Sequence, residues 1–298
     1  MELRVLRYFL AVAREENISR AAQALHITQP TLSRQLIDLE DELGVKLFLR
    51  KSQSRKIALT PEGLLLRRRA QELLELAYKT GQELKTVSQQ VSGDIYIGGG
   101  ETDAMRFIAR TAKSLRQSYP AIHYHLYSGN ADDVMERLDK GLLDFGIIIQ
   151  PANMDKYDYI QLPAKDTWGL LMRKDDPLAQ KKQITPVDLE HLPLLTSRQS
   201  LLHNEISGWL GKNFDLLNVI GTYNLVYNAS LMVDEGLGYA LCLDKLVNTD
   251  TGSHLCFRPL FPALTSSLAM IWKKSQVFSR AAEIFLKQLQ ILYLAENR

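Results

Sequence analysis

A proline at position 30 interrupts a stretch that is otherwise written for helix, and it dictates how residues 18–44, ISRAAQALHITQPTLSRQLIDLEDELG, can fold. Proline's fixed φ and missing N–H suit the first turn of a helix and break an interior one. The stretch therefore reads as two helices joined by a tight turn. Ala21, Ala22, Leu25 and Ile27 give the first helix one short apolar face, with Ser19 as its expected N-cap and an end near His26. The second helix is expected to start at about Pro30. It places Leu32, Leu36, Leu39 and Leu43 inward and Thr31, Ser33, Arg34 and Gln35 on its early outward turns, with Gly44 where a left-handed cap belongs.

That outward set holds short hydroxyls, an amide and a guanidinium, with no acid before Asp38. Such a surface can approach a phosphate backbone and read base edges, as the second helix of a helix-turn-helix does in a major groove. An ordinary amphipathic helical hairpin with a polar outer face fits the same residues, so the flanking sequence bears on the choice. Residues 2–15 carry Leu3, Leu6, Phe9, Leu10 and Ala13 on one stripe and read as a support helix. Beyond the hairpin, Lys46–Leu49 and Ile57–Leu59 are β-prone segments around a tip with Arg50, Lys51, Arg55 and Lys56, and no acid lies between residues 43 and 61. This reads as a β-hairpin wing whose tip touches phosphates, with a solvated loop as the bland alternative. From Pro61 to about Gln90 a single long helix is expected, roughly 45 Å at 1.5 Å per residue. A helix of that length with Leu64, Leu65, Leu73, Leu74, Leu76, Leu84 and Val87 spread along it reads as a linker that dimerises with a copy of itself, with a buried helix of the larger domain as the alternative.

Composition adds limits. Of the 298 residues, 46% are hydrophobic and 23% charged, ordinary values for a globular chain. The formal charge of +2 divides unevenly: residues 1–92 hold 15 Lys/Arg against 11 Asp/Glu, the remainder 21 against 23. The basic excess thus lies with the reading element. The two cysteines, Cys242 and Cys256, sit between apolar segments and read as buried small hydrophobes, which suits a reducing compartment. With no charged-then-apolar leader and no run of eighteen apolar residues, a cytoplasmic, nucleoid-associated protein without membrane insertion is expected.

After Ser92-Gly93 the pattern alternates strand and helix. Strands are expected at 94–99, 122–129 and 142–150 and helices at 103–119 and 131–141. A second unit follows, with strands in YIQLP, TWGLLMRK, at 219–223, 239–243 and 267–273, a helical turn leading into a strand across 187–196, helices at 201–213 and 228–238, and a closing helix from Phe278 to about Leu294. This predicts an α/β fold of two Rossmann-like lobes, lobe I about 91–162 with 268–298 and lobe II about 163–267. The whole chain then divides into a winged helix-turn-helix at 1–60 (the motif itself about 18–37), a linker helix at 61–90 and a two-lobed regulatory domain at 91–298.

Ligands in such folds lie at the carboxyl ends of strands, where helix N-termini offer free N–H groups. That rule names Gly100, Thr102, Asp103, Ser128 and Asn130 in the first lobe and Thr196, Ser197, Arg198 and Asn224 in the second as candidates for a polar small molecule; Thr102 and Asp103 equally fit helix caps. No Walker pattern or dinucleotide GxGxxG follows the glycine run, so no nucleotide cofactor is expected. An enzyme would need a convergent nucleophile, base or metal set, and the six histidines supply none: His123 and His125 alternate on one strand without a further acid at ligand spacing. A ligand sensor that does not use DNA is the other alternative.

At this point the residues resemble the LysR-type transcriptional regulators over nearly the whole chain. The N-terminal run carries the resemblance: Leu6, Phe9, Ala13, Ala21-Ala22, Leu25, Gln29-Pro30, Ser33, Leu36, Leu39-Glu40, Leu43-Gly44, Leu47-Phe48, Arg50, Leu59-Thr60 and Gly63. Tyr119-Pro120, Gly129, Leu138, Gly141, Asp144, Asp176-Pro177-Leu178, Leu192-Pro193, Val233, Gly236 and Gly238 look like that family's effector domain. The resemblance implies a winged helix-turn-helix, a linker-helix homodimer that commonly pairs into a homotetramer, and a two-lobed domain similar to periplasmic binding proteins that takes a small-molecule effector. It implies base contacts from Gln29, Pro30 and Ser33 and phosphate contacts from Arg34 and the wing, with Ser19 and Thr31 beside them, on double-stranded operator DNA; RNA polymerase is a further candidate partner. Two departures stand out. Gln53 replaces the family's second wing arginine, so Arg55 matches only with a wing two residues longer, and Asp244 stands where a proline is common.

Overall fold

The computed structural model describes residues 1–49, 57–85, 91–150, 152–198, 205–211 and 217–296, and divides into two units, Met1–Lys85 and Thr86–Arg298. In the first, α1 (Leu3–Glu15), α2 (Ile18–Ala24) and α3 (Gln29–Leu43) precede a two-stranded hairpin, β1 (Phe48–Leu49) with β2 (Ala58–Leu59), and α4 (Pro61–Lys85). Pro30 sits in the first turn of α3, where its missing N–H costs nothing. Gly44 closes that helix at φ 67, a left-handed conformation that suits a residue without Cβ.

Three local expectations are corrected. The N-cap of α2 is Asn17, not Ser19: Asn17 is extended and accepts the Arg20 N–H at 3.0 Å, whereas Ser19 already lies inside the helix and exposed. On α1 the packed face runs through Val5, Leu6, Phe9, Ala11 and Val12, and Leu3, at the first helical position, is left exposed. At the end of α3, Leu43 is exposed and the buried place is taken by Glu40. The core of this unit joins Phe9 and Val12 of α1, Ala21 and Ala22 of α2, Leu32, Leu36 and Leu39 of α3, Leu47 before the wing, and Ala70 of α4. The wing is therefore bolted to the helices at its base. Its tip, with Arg50, Lys51, Arg55 and Lys56, lies outside the described residues, as do residues 86–90 of the expected linker helix.

The second unit is built on β3 (Gly93–Gly99), α5 (Met105–Ser118), β4 (Ile122–Ser128), α6 (Ala131–Asp139), β5 (Phe145–Ile149), β6 (Tyr157–Arg173), β7 (Leu194–Ser197), α7 (Glu205–Leu210), β8 (Val219–Tyr223), α8 (Val226–Asp234), β9 (Tyr239–Leu243), β10 (Leu255–Pro259), β11 (Thr265–Lys273) and α9 (Arg280–Glu296). Two short 3-10 turns, Pro177–Gln180 and Pro186–Leu189, precede β7. The strand order is β4-β3-β5-β11-β6-β9-β7-β8, with β10 also paired to β6. β3 is parallel to β4 and β5, and β7 is parallel to β8 and β9, while β11 and β6 run against their neighbours.

The segments read separately as YIQLP and TWGLLMRK are one 17-residue strand, β6. Its residues 157–167 pair with β11, and residues 168–173 pair with β9 and β10, so this strand belongs to both halves of the sheet. Pro163, which cannot donate a ladder hydrogen bond, lies where the β6–β11 register shifts, the kind of irregularity that accommodates proline inside a strand. Side chains along β6 alternate between cores: Leu170 and Met172 join the cluster with Ile184, Leu194 and Ile206, while Leu171 joins the one with Val226, Val233 and Cys242. In the other half, α5 and α9 cover one face through Phe107, Phe285 and Leu289, and α6 covers the opposite face through Val134 and Leu138. Both cysteines are free and buried; burial pushes the Cys242 thiol up to about 12.

Candidate functional site

The outward face of α3 begins with a self-satisfied cap. Thr28 accepts the Thr31 N–H at 3.4 Å, and the two hydroxyls meet at 2.8 Å. One turn further, Gln29 Nε2 donates to Ser33 Oγ at 3.5 Å, a long contact that leaves the amide easily redirected. Gln29, Pro30, Thr31 and Arg34 are exposed and Ser33 is half-buried; Arg34 has no ion-pair partner among the described residues. Behind this face Leu32, Leu36 and Leu39 anchor the helix in the core, so the polar groups are presented from a fixed support. Ser19 is also exposed, on α2.

Glu40 fixes the wing to this helix. It is only 5% exposed, and one carboxylate oxygen accepts the backbone N–H of Leu47 at 2.8 Å and of Phe48 at 3.3 Å, while the other accepts from Lys46 Nζ at 3.0 Å. Burial would raise its carboxyl, but the two amides and the lysine outweigh it and hold the group below the ordinary value. Thr60 adds a second tie: its hydroxyl donates to the Lys46 carbonyl at 2.7 Å and accepts the Gly63 N–H at 2.9 Å, joining the start of α4 to the wing. A Cβ on Gly63 would stand 2.2 Å from the Leu47 carbonyl oxygen, so only glycine fits there.

In the second unit a cavity of about 400 Å³ opens at the carboxyl ends of β3 and β4. Its walls include Gly100, Thr102, Asp103 and Ser128 from the expected set, together with Glu101, Arg106, Tyr127 and Lys245. That volume suits a small molecule. Asn130 is instead the N-cap of α6, accepting the Asp133 N–H at 2.9 Å. Thr196, Ser197, Arg198 and Asn224 do not line this cavity: Thr196 is fully buried, Ser197 is half-buried, and Arg198 and Asn224 are exposed. Neither Thr102 nor Asp103 caps α5 directly. Thr102 Oγ1 accepts the Ala104 N–H at 3.1 Å in the preceding turn, and Asp103 Oδ1 accepts from Arg106 Nε at 2.7 Å.

Four acids shape the electrostatics. Glu101 reaches from the end of β3 to accept the Val226 N–H at the start of α8, supplying a negative charge to a helix N-terminus that no cap side chain of its own serves. Asp244 Oδ1 accepts the Thr167 N–H of β6 at 2.9 Å, and the Asp244 N–H donates to the Thr167 carbonyl, also at 2.9 Å. A proline at 244 could not donate the second of these. The Lys245 ammonium stands 3.7 Å from Asp103 and 3.6 Å from Asp244, long for charged pairs. Asp166 of β6 lies behind them, 1% exposed, with the Thr102 hydroxyl beside its carboxylate. Burial pushes its carboxyl up to about 6; the Thr102 hydroxyl and the Lys245 ammonium oppose the rise, while Asp244 and Asp103 add to it.

Sequence reading missed Asp166 and Lys245, and met Glu40 only as part of the family resemblance. His123 and His125 are engaged by a carboxylate from the neighbouring strand: His125 Nε2 lies 2.9 Å and His123 Nδ1 3.9 Å from Asp94. Among the described residues no three His, Cys, Asp or Glu side chains converge to hold a metal ion, and no helix is long and apolar enough to cross a membrane.

Comparison with known proteins agrees with this architecture. Residues 3–64 match the bacterial regulatory helix-turn-helix protein, lysR family, and residues 88–291 match the LysR substrate binding domain. The Hca operon transcriptional activator HcaR of Escherichia coli (strain K12) is 30% identical over 93% of this chain and 93% of its own. The HTH-type transcriptional regulator YvbU of Bacillus subtilis (strain 168) is 28% identical over 99% of this chain and all of its own. Among solved structures, CbnR, a LysR family transcriptional regulator, superposes with a TM-score of 0.76 at 19% identity, covering 98% of this chain and 99% of that one. Full-length CbnR complexed with its target DNA gives 0.75 at the same identity and coverage. The helix-turn-helix with its wing, the two-lobed α/β unit and these matches agree: the chain belongs to the LysR family of DNA-binding transcriptional regulators with an effector-binding domain, and it is not an enzyme.

Proposed function

We propose that the N-terminal face of α3 reads operator DNA, with Gln29, Pro30 and Ser33 at base edges and Arg34 on a phosphate. Ser19 and Thr31 flank that face, and Arg50, Arg55 and Lys56 of the wing continue the phosphate track. The observation that supports this is the arrangement around Arg34: an exposed guanidinium, without a partner among the described residues, beside a rotatable amide and hydroxyl, on a helix whose opposite face is locked into a core. Two such helices related by a two-fold axis meet two half-sites on one face of a duplex, so the chain acts as a homodimer or homotetramer assembled through the long helix α4. The cavity at the ends of β3 and β4 takes a small-molecule effector, which must bind two arrangements of the protein with different affinity in order to change its action on DNA. Contact with RNA polymerase at the promoter and a cytoplasmic, nucleoid-associated location complete the reading.

The test is recovery of genomic DNA fragments by the purified protein at low and near-physiological salt. Discrete fragments sharing a two-fold-related motif are expected to survive the higher salt. On such a fragment Arg34→Ala should weaken binding across sequences and lower the salt slope by about 1, and Gln29→Ala should relax base preference by about 1–3 kcal/mol at one position. Diffuse, salt-labile binding by the effector-free and effector-loaded protein alike would refute the reading.

A further inference from the structure

The cavity at the ends of β3 and β4 balances its charges, Glu101 and Asp103 against Arg106 and Lys245. A second cavity, of about 330 Å³, does not. It lies in the other half of the sheet, where Lys174 directly after β6, Gln180 of the first 3-10 turn, Thr249 between β9 and β10, and Arg258 of β10 line it around Cys256 and Phe257. No aspartate or glutamate stands in this wall, which therefore carries two positive charges and no negative one.

Backbone oxygens hold both cations in place without neutralising them. Arg258 Nε donates to the Lys181 carbonyl at 2.7 Å and the Ala179 carbonyl at 3.2 Å, Nη2 to Ala179 at 2.7 Å, and Nη1 to Phe257 at 2.9 Å. A guanidinium has five N–H groups, so two of those on Arg258 are left without an acceptor among the described residues. Lys174 Nζ donates to the Asp250 carbonyl at 2.6 Å and the Ser253 carbonyl at 2.7 Å, which leaves one of its three N–H groups. Neither cation has an ion-pair partner among the described residues, although Arg258 is half-buried, where a charge is ordinarily matched. A role as a strut from β10 to the turn at 177–180 accounts for the bonded N–H groups of Arg258. It does not account for the unmatched charge, nor for a second unmatched cation on the same wall. The two charges converge: burial pushes the Cys256 thiol up, and Arg258 and Lys174 both pull against that rise. Asp176 adds to the rise, but its carboxylate is taken up by the Tyr239 hydroxyl at 2.6 Å and the Leu178 N–H at 2.8 Å.

We propose that this cavity binds a phosphate group, free or as the ester of a small molecule, between Lys174 and Arg258. A phosphate monoester brings nearly two negative charges and three acceptor oxygens, which match two cations with three spare N–H groups. The Thr249 hydroxyl and the Gln180 amide supply further donors in the same wall. A carboxylate offers one charge and would leave the other cation unanswered. The site shares no lining residue with the cavity at the ends of β3 and β4, so it stands independently of the effector reading.

The experiment titrates the full-length protein at pH 7.5 and constant ionic strength with inorganic phosphate and with glycerol 3-phosphate, using acetate and glycerol as controls. The readouts are the backbone amide resonances of residues 174, 180, 249 and 256–258, with those of residues 99–103 as reference for the other cavity. Both phosphates are expected to shift the first set saturably and leave the reference in place, glycerol to shift neither, and acetate to bind more weakly. Lys174→Gln should weaken phosphate binding about tenfold or more, the effect of losing a charged hydrogen-bond partner, while Lys174→Arg retains it. Binding should also weaken as pH falls through about 6, where the phosphate takes up its second proton. Tighter binding of glycerol 3-phosphate would support the proposal with the group carried as an ester, and tighter binding of inorganic phosphate would support it with the free ion. Absence of a saturable shift, acetate or glycerol binding as well as phosphate, or Lys174→Gln binding as the parent does would overturn it. Arg258→Gln should weaken binding at least as much; should that variant fail to fold, the Lys174 pair decides alone.

Discussion

Replacing Glu40 by alanine should loosen the wing from α3 and cost the first unit about 3 kcal/mol. The figure follows from its three contacts. The Leu47 N–H at 2.8 Å is a short hydrogen bond to a charged acceptor in a buried setting, worth about 1.5–3 kcal/mol, and its loss strands a buried donor. The Phe48 N–H, at 3.3 Å, adds less than about 1 kcal/mol. The Lys46 pair contributes little, because the lysine side chain is 68% exposed and exposed pairs are worth at most about 1 kcal/mol. Glu40→Gln keeps the shape and loses only the charge, so it should cost roughly half as much. The pH dependence has a fixed sign. A folded carboxyl held below its unfolded value contributes stability that is present above the unfolded value, near 4.5, and is lost as pH falls through the folded one. Hydrogen exchange at the amides of Leu47 and Phe48 reads the effect locally, and chemical denaturation reads its size. If Glu40→Ala leaves the exchange of both amides unchanged at neutral pH, the wing is held by something else and the argument fails.

Two other perturbations have equally definite outcomes. Asp166→Asn should stabilise the second unit by about 3 kcal/mol above pH 6, since a carboxyl raised from 3.8 to about 6 is destabilising when ionised. For the parent protein, thermal unfolding should show stability falling as pH rises from about 4 to about 6, a dependence that the Asn variant loses; the same slope in both would place the titrating group elsewhere. Gly63→Ala should destabilise the first unit by about 2 kcal/mol, because the 2.2 Å approach to the Leu47 carbonyl requires backbone movement. An unaltered denaturation midpoint would mean that the α4 start yields more easily than its hydrogen bonds suggest.

What the sequence made readable is what local chemistry determines. Pro30 and Gly44 bracket α3 because each dictates a backbone conformation by itself, the parallel strands β3 and β5 are apolar enough to stand out, and β4 shows by its alternation. The failures share a different origin. β6 was split because Pro163, Lys165 and Asp166 resemble a loop, when in fact a register shift accommodates the proline and the acid is buried. β10, LCFRP, was passed over because a strand holding arginine and proline lacks alternation; its pairing with β6 is what makes it a strand. The candidate site was half readable for the same reason. The strand-end rule found Gly100, Thr102, Asp103 and Ser128, but Asn130 meets a backbone N–H three residues away, and Glu101 finds its partner 125 residues on at Val226. No spacing rule anticipates a hydrogen bond across that separation.

The strand β6 and its partner β11 have a consequence for how such a chain can be rebuilt. Thr167, the last β6 residue paired with β11, stands directly opposite Thr265, the first residue of β11. Everything between them leaves and re-enters the fold at adjoining points, so residues 168–264 behave as an insert carried on an ordinary β-hairpin. Splicing Thr167 to Thr265 through a short turn would restore that hairpin and leave β3, β4, β5, α5, α6 and α9 with their sheet intact. The half that supplies Lys245 and the α8 N-terminus is therefore joined to the other only through two adjacent crossings of the chain, at Thr167 and at Thr265.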